Sequence, residues 1–226
     1  MAWLAPTEDD HQTRVQYEES MTIGRDIDTK PLATRDDVTV HFADVTRRKR
    51  VTGFQRRDHR TGEILSEESL DLPETTLSTR ALYVTLPPGL KRLMQTMSGS
   101  FEGGLHAVRY ALVATFRLVI LCDRRDVGSV STMDHLQAET SALFIYDSYR
   151  GGVGLARNGY EHVEKLFQHT WELLADCGCS DGCPACIQSP HCGQANEPLD
   201  KRLAAAPTMA LADPSRQADD ATPKSD

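Results

Sequence analysis

The sequence has no feature typical of a membrane or a secreted protein. No apolar run reaches the roughly eighteen residues that a membrane-spanning helix needs. The first residues, MAWLAPTEDDHQ, lack the basic segment and apolar core of a signal peptide. We therefore expect a cytoplasmic protein. A surplus of positive charge is also missing, since the formal net charge of -8 opposes attraction of nucleic acid by the surface as a whole.

A nucleotide-binding motif is absent as well. No G-x-x-x-x-G-K-[ST] segment occurs in the 226 residues, so the chain has no P-loop to hold nucleotide phosphates. The segment Gly151-Gly152-Val153-Gly154 is rich in glycine, but it has neither the lysine nor the Ser or Thr that such a loop requires. The sequence therefore predicts that the chain is not an ATP-driven enzyme by itself.

The apolar pattern predicts a mixed α/β fold of the α+β kind. Apolar segments predict strands at 38–44, 81–86, 118–122 and 141–147, and a β-hairpin across 51–65. Helical spacing predicts a helix over 101–115 and a long helix after the glycine turn. We expect an antiparallel β portion, a helix-strand-strand-helix core and a zinc knuckle. The expected divisions are an irregular lead-in (1–35), the β portion (36–88), the core (89–176), the knuckle (177–204) and a disordered tail (205–226).

Five of the six cysteines lie close together near the C-terminus, in the order Cys177, Cys179, Cys183, Cys186 and Cys192. A reducing compartment disfavours disulfides as the explanation. Zinc takes four thiolates in a tetrahedron, and C-x-C and C-x-x-C pairs each supply two of them from one turn. The sequence therefore predicts a structural zinc site.

The identity of the four ligands stays open at this point. The pairs Cys177/Cys179 and Cys183/Cys186 make the most compact set and are the predicted ligands. Cys192 is an alternative to Cys177, and His191 is an alternative to one sulfur. An iron-sulfur cluster also remains possible chemically, because a fifth cysteine is available.

A locally basic segment stands out against the acidic average. Arg47, Arg48, Lys49 and Arg50 are consecutive, and Arg150 lies in the glycine turn. Clustered cations can contact phosphates even in a chain of negative net charge. These five residues are the candidate nucleic-acid contacts, and the alternative is a solvated strand rich in arginine.

The cysteine block resembles a known family. CGCSDGCPACIQSPHCGQANEPLDK (177–201), preceded by FIYDSYRGGVGLA (144–156) and LCDRRDVGSVST (121–132), resembles the zinc-binding C-terminal domain of DEAD/DEAH-box superfamily 2 DNA helicases of the mitomycin-repair, Hrq-like type. His106 also stands where that family has a histidine. The resemblance covers roughly residues 80–204 and reaches more weakly back to about 35.

The resemblance implies an accessory module with bound zinc, attached to an ATP-driven DNA-repair helicase. The motor lobes are not in this chain, and Glu8-Asp9-Asp10-His11 is not a DEAH box because no apolar strand precedes it. The leading hypothesis is a zinc-stabilised module that contacts DNA or acts as a scaffold, with the motor in cis or in trans. The first alternative is an adaptor that docks a separate helicase or defence protein.

A second alternative is a metal-dependent nuclease. Asp123, Asp126, Asp147 and His106 lie at predicted strand ends or on the adjoining helix, where such groups can hold a divalent metal. The competing interpretation is that these carboxylates only cap and pair loops.

Overall fold

A computed structural model describes residues 10–189, 192–194 and 196–212. It contains six strands and five helices in this part of the chain. The strands are β1 (His11–Leu32), β2 (Arg35–Asp58), β3 (Ile64–Ser69), β4 (Thr75–Thr85), β5 (Val127–His135) and β6 (Thr140–Asp147). The helices are α1 (Pro88–Thr96), α2 (Phe101–Val119), α3 (Leu155–Glu161), α4 (Val163–Asp176) and α5 (Lys201–Ala212). None of these helices combines the length and the apolar character that crossing a membrane requires.

One antiparallel sheet with the order β1-β2-β4-β6-β5 organises the fold, and β3 pairs with the distal half of β2. The sheet curls, so that its two edges approach each other. The side-chain amide of Gln137 bonds both the N–H and the carbonyl of Ile23, at 2.8 and 2.7 Å. The His135 Nε2 bonds the Met21 carbonyl at 2.9 Å. These contacts cover backbone groups that an open edge would leave unpaired.

The two faces of the sheet bury separate apolar clusters, as the period of two along a strand requires. One face of β4 and β6 presents Leu82, Val84, Leu143 and Ile145 to the helices. The other face turns Tyr83, Phe144 and Tyr146, among others, into the concave side of the curl, where Met21 covers them. The concave side also receives the odd-numbered residues of β2, from Ala43 and Val45 onward.

The helical layer packs tightly against the first face. Gly159 of α3 is in close contact there, since a Cβ at this position would come within 2.6 Å of both Leu82 and Phe116. The hydroxyls of Thr115 and Thr170 bond each other at 2.8 Å between α2 and α4. This layer therefore fixes α4, and with it the start of the cysteine segment that follows.

The mixed α+β class, the antiparallel sheet and the C-terminal cysteine cluster are confirmed. The strands predicted at 38–44 and 141–147 lie inside β2 and β6, the strand predicted at 81–86 overlaps the end of β4, and the 51–65 hairpin corresponds to the β2–β3 pair. The long helix predicted after the glycine turn is interrupted at His162 and forms α3 and α4.

The strand predicted at 118–122 is wrong. Residues up to Val119 continue helix α2, and this apolar segment is only half buried. Phe116 and Ile120 are buried, whereas Leu118 and Leu121 are 74% and 99% exposed. The first strand of the core is instead β5, which lies between the predicted strands at 118–122 and 141–147.

Both ends of the chain differ from expectation where the structure describes them. The lead-in is not irregular from residue 11 onward, because β1 pairs with β2 along most of its length. The tail expected to be disordered from residue 205 is helical to Ala212, and Leu203, Thr208 and Leu211 are buried. Residues 213–226 lie outside the described part. The division into lead-in, β portion, core and knuckle remains a prediction.

Candidate metal centre

Helix α4 delivers the first cysteine of the cluster. Cys177 is its C-cap, and the Cys177 N–H donates to the Leu173 carbonyl at 3.2 Å. The chain then turns back on itself through Gly182, whose φ of 101° lies in the left-handed region. A Cβ at Gly182 would come within 2.3 Å of the Ile187 side chain, so only glycine fits this turn. Gly178 faces open space, so the sharp turn depends on Gly182.

Four sulfurs converge where the two cysteine pairs meet. The Sγ atoms of Cys177, Cys179, Cys183 and Cys186 all lie within 4.8 Å of one another. Cys177 is 3.5 Å from Cys179 and 3.6 Å from Cys183, and Cys186 is 3.5 Å from Cys179 and 3.7 Å from Cys183. A tetrahedron with Zn–S bonds of about 2.3 Å has sulfurs about 3.8 Å apart. The spacing therefore fits one tetrahedral zinc ion.

The four thiols have different surroundings, which shift the pKa values of Cys186 and Cys179 in opposite directions. Burial raises the pKa of the Cys186 thiol to about 12, and the neighbouring thiols add to that effect. Burial opposes ionisation of Cys179 too, but hydrogen bonds from Cys177, Cys186 and Cys183 outweigh it and lower its pKa to about 7. Thiolates packed this closely repel one another, so a bound cation is what lets all four ionise together.

Lys201 supports the centre from helix α5, and sequence reasoning missed it. This lysine is buried, with 8% of its surface exposed. Its ammonium donates to the carbonyls of Cys177 and Cys179, at 2.5 and 2.7 Å. The contacts tie α5 to the C-terminal end of α4, where a positive charge is favourable. A lysine just after the Cys-rich block was the only sequence signal for this role.

Cys192, the alternative ligand, is not part of the four-sulfur group. Its Sγ lies 3.5 Å from His106 Nε2, and the His106 Nδ1 lies 3.1 Å from the Pro198 carbonyl. Burial, with the Arg109 charge as a second cause, lowers the pKa of His106 to about 4. A neutral imidazole therefore donates from Nδ1 to Pro198 and accepts the Cys192 thiol at Nε2. This bond pins the segment after the knuckle to helix α2.

Two other candidates for the centre can be placed. Cys122 lies apart from the group, and burial raises the pKa of its thiol. His191 lies outside the described residues.

The basic run does not form one patch, because successive residues of a strand point to opposite faces. Arg48 and Arg50 face outward and form ion pairs with Glu74 and Asp71, at 3.4 and 2.7 Å. Arg47 and Lys49 face the concave side. Arg47 pairs there with Glu19, and the Lys49 ammonium lies 3.4 Å from the centre of the Tyr17 ring.

Arg150 is separate from both groups. It is exposed in the turn after β6, beside Thr46, Ser78 and Gly151. Its neighbour Tyr149 donates to Asp126 at 2.6 Å, which anchors the turn. The structure therefore divides the five predicted nucleic-acid contacts among three surfaces.

The carboxylates named for a nuclease serve the backbone. Asp147 is fully buried, and its two oxygens accept the N–H groups of Val153, Gly154 and Ala156 at 2.6 to 2.9 Å. Asp126 accepts the Asp123 N–H at 2.7 Å. Within the described residues the four cysteines are the only grouping suited to a metal. The loop-capping interpretation therefore fits these contacts.

Comparisons with known proteins agree on the cysteine segment and the fold. A family model described as the MrfA Zn-binding domain matches residues 108–187, which include all four clustered cysteines. The uncharacterized protein MJ1572.1 of Methanocaldococcus jannaschii is 39% identical over 100 residues, covering 43% of this chain and 89% of that protein. The uncharacterized ATP-dependent helicase YprA of Bacillus subtilis is 29% identical over 149 residues, covering 66% of this chain and 20% of the helicase.

A solved structure gives the same relationship in three dimensions. The crystal structure of the DUF1998 helicase MrfA bound to DNA superposes with a TM-score of 0.61 at 25% identity. The match covers 90% of this chain and 26% of the helicase chain. This chain thus spans most of the archaeal relative but only a minor part of either helicase. The matched domain binds zinc, and the four-cysteine cluster is suited to hold it.

Proposed function

This chain belongs to the family of MrfA Zn-binding domains, and from that membership we propose that it is the zinc-stabilised accessory module of a DNA-repair helicase. In this role it contacts DNA or acts as a scaffold for the motor. It contributes no ATPase chemistry. The module works in the cytoplasm, where its thiols stay reduced.

One observation carries this proposal. The fold matches a DNA-bound helicase over 90% of this chain and 26% of that chain. The part of that helicase that this chain does not match is long enough to contain the ATPase motor. The present sequence, in contrast, has no P-loop. An accessory role, with the motor in cis or in trans, accounts for both facts.

Zinc has a structural task in this proposal. Cys177, Cys179, Cys183 and Cys186 are its proposed ligands, and the bound ion joins the end of α4 to the turn at Gly182. The cysteine segment 177–189 buries few apolar side chains besides its cysteines, chiefly Ile187. Metal-binding energy in such a segment is folding energy. Zinc therefore orders the surface that the helicase uses instead of taking part in a reaction.

Elemental analysis of the purified chain tests the metal assignment. We expect one zinc per chain, lost in Cys179→Ser and Cys183→Ser and retained in Cys122→Ser and Cys192→Ser. Loss of zinc in Cys192→Ser with retention in Cys177→Ser would contradict the proposed ligand set. A visible chromophore with stoichiometric iron would contradict the zinc assignment itself.

Binding assays test the role. We expect the zinc-loaded chain to bind DNA, and to form a complex with a helicase motor of the same family when the two are mixed. The adaptor alternative is favoured by the exposed Leu118 and Leu121, and Leu118 lines a cavity together with Pro184 and Ala185 of the knuckle. Motor binding that is lost in Leu118→Ser with Leu121→Ser, together with no DNA binding, would favour the adaptor.

A further inference from the structure

The concave side of the sheet has an unusual charge distribution. Arg47 and Lys49 of β2 meet Arg109 of α2 and Arg124 of the loop before β5 around a groove of about 200 Å³. We call these four residues and the space between them the cation groove. Glu19 is the one carboxylate in its lining. A local surplus of three positive charges thus lies on a chain whose formal net charge is -8.

Arg47 pairs with Glu19, whereas the other three cations of the groove have no ion-pair partner among the described residues. Arg48 and Arg50, on the opposite face, each have a carboxylate partner. For Lys49, Arg109 and Arg124, no described carboxylate lies within salt-bridge distance. Clustered like charges without partners repel one another, and an anion between them removes that cost.

The individual contacts show groups held in place but incompletely bonded. Arg109 Nη2 donates to the Tyr110 hydroxyl at 2.8 Å, while its buried Nε has no hydrogen-bond partner in the described part of the chain. Arg124 is exposed, and its one hydrogen bond within the described residues is a long contact to Ser189 Oγ, at 3.4 Å. Desolvation lowers the pKa of Lys49, the Glu19 charge opposes this change, and the Arg47 charge adds to it. A buried N–H donor without a partner is costly and rare.

The tyrosines of the groove orient the cations. Lys49 lies over Tyr17, Arg109 lies 4.6 Å from the centre of the Tyr110 ring, and Arg47 lies 5.7 Å from that of Tyr146. Ring contacts of this kind hold a cation without neutralising it. The groove is therefore preorganised for a ligand with negative charge.

An apolar extension leads from the cation groove toward the zinc knuckle. A second cavity of about 230 Å³ shares Tyr110, Val113 and Arg124 with the groove, and its other lining residues are mostly apolar, among them Leu118, Leu173, Pro184 and Ala185, with Arg117 as a further cation. A ligand that extends from the groove into the second cavity contacts the cations of the groove first and a mostly apolar surface next. This order of surfaces suits a phosphodiester group followed by an unpaired base.

We propose that the cation groove binds the phosphodiester backbone of single-stranded DNA, with an unpaired base in the apolar extension. This inference rests on the proposed association of the module with DNA, and it names the surface. The groove is lined by residues of β1, β2, β5, β6 and α2, and a base that enters the apolar extension must be unpaired, which favours a single strand over a duplex. The zinc knuckle forms one wall of the apolar extension, so the metal shapes the site without contacting the DNA.

A matched pair of double variants tests the proposal in the zinc-loaded full chain. Lys49→Gln with Arg124→Gln removes two cations from the groove, and Arg48→Gln with Arg50→Gln removes two from the outer face. The probe is a fluorescent thymidine oligonucleotide of about twelve nucleotides, within the range that single-strand sites occupy. Binding is followed by anisotropy at several salt concentrations, and zinc content confirms that each variant is folded.

The expected result separates the two faces. Each phosphate contact contributes about 0.7 to the slope of log affinity against log salt for a single strand. The groove variant should therefore lose about 1.4 from that slope and bind about tenfold more weakly or worse. The outer-face variant should keep the slope of the wild type.

Four outcomes would overturn the proposal. Equal losses in the two variants would mean that affinity depends on charge in general. An unchanged groove variant would place DNA on another surface, while DNA association as such would stand. Failure of the wild type to bind the oligonucleotide, or equal affinity for a duplex, would refute the single-strand site and leave the zinc assignment intact.

Discussion

Lys201 offers a direct test of how the metal centre is joined to the rest of the fold. Its ammonium is buried and donates two charge-assisted hydrogen bonds to the carbonyls of Cys177 and Cys179. A zinc ion with four thiolates carries two net negative charges, so the lysine also supplies opposite charge at close range. Replacing Lys201 with Met keeps most of the aliphatic volume and removes both effects.

The magnitude follows from these contacts. A hydrogen bond to a charged group contributes about 1.5–3 kcal/mol, and a buried carbonyl left without a donor adds a cost. Releasing the ammonium from burial offsets part of this loss. We therefore expect Lys201→Met to lower the free energy of unfolding by about 2–3 kcal/mol. Zinc affinity should fall by about 10–100-fold, as for other groups that support metal ligands.

Two assays measure these effects. Urea unfolding of the zinc-saturated chain reports stability, and competition with a chromogenic chelator reports zinc affinity. Arg202→Met is the matched control, because Arg202 is the exposed neighbour in the same helix and bonds only the Ser98 backbone and hydroxyl. If Lys201→Met and Arg202→Met gave the same zinc affinity, the reasoning that the lysine supports the centre would be refuted.

Three further predictions concern the knuckle and its surroundings. Gly182→Ala should lower the free energy of unfolding by about 1–3 kcal/mol, because position 182 has a left-handed φ and a Cβ there would contact Ile187. Gly178→Ala is the control, since Gly178 faces open space, and should leave urea unfolding nearly unchanged. Removal of zinc by a chelator should expose the amides of the knuckle and of α5 to hydrogen exchange while β4 and β6 stay protected, since the cluster on the concave side of these strands contains no cysteine. Loss of protection throughout would contradict this. The lowered pKa of His106 means that the unfolded chain binds a proton between about pH 6.5 and 4 where the folded chain does not, so stability should fall as the pH drops through that window. Stability should fall less steeply with pH in His106→Gln than in the wild type. Identical pH profiles of the two proteins at equal zinc occupancy would contradict this role of His106.

The errors in the predicted fold have a common physical origin. The segment 118–122 is apolar on all sides, so its sequence does not distinguish a buried strand from the end of a helix. The start of this segment continues helix α2, because Phe116 and Ile120 complete the buried face of that helix. Strands β1 and β5 were missed for the opposite reason. Both are polar edge strands, and their pairing partners, not their own side chains, make them strands.

The cysteine segment shows what the sequence determined by itself. Four cysteines within ten residues, joined by a glycine turn, bring their sulfurs together locally, so the spacing was sufficient to predict the cluster that the structure shows. The antiparallel sheet elements with clear alternation, such as β4 and β6, were likewise readable from the chain.

Only the tertiary structure decided the rest, because it depends on residues far apart in sequence. The side of the sheet on which each basic residue lies follows from strand register, which separates Arg47 and Lys49 from their neighbours. The helix and loop that supply Arg109 and Arg124 reach the same groove through packing alone. Cys192 resembles a fifth ligand in sequence, but folding places its sulfur against His106, some 86 positions earlier in the chain. Chemistry held in one short segment can be read from sequence, whereas chemistry assembled across elements cannot, because the loops between them leave its geometry free until the core forms.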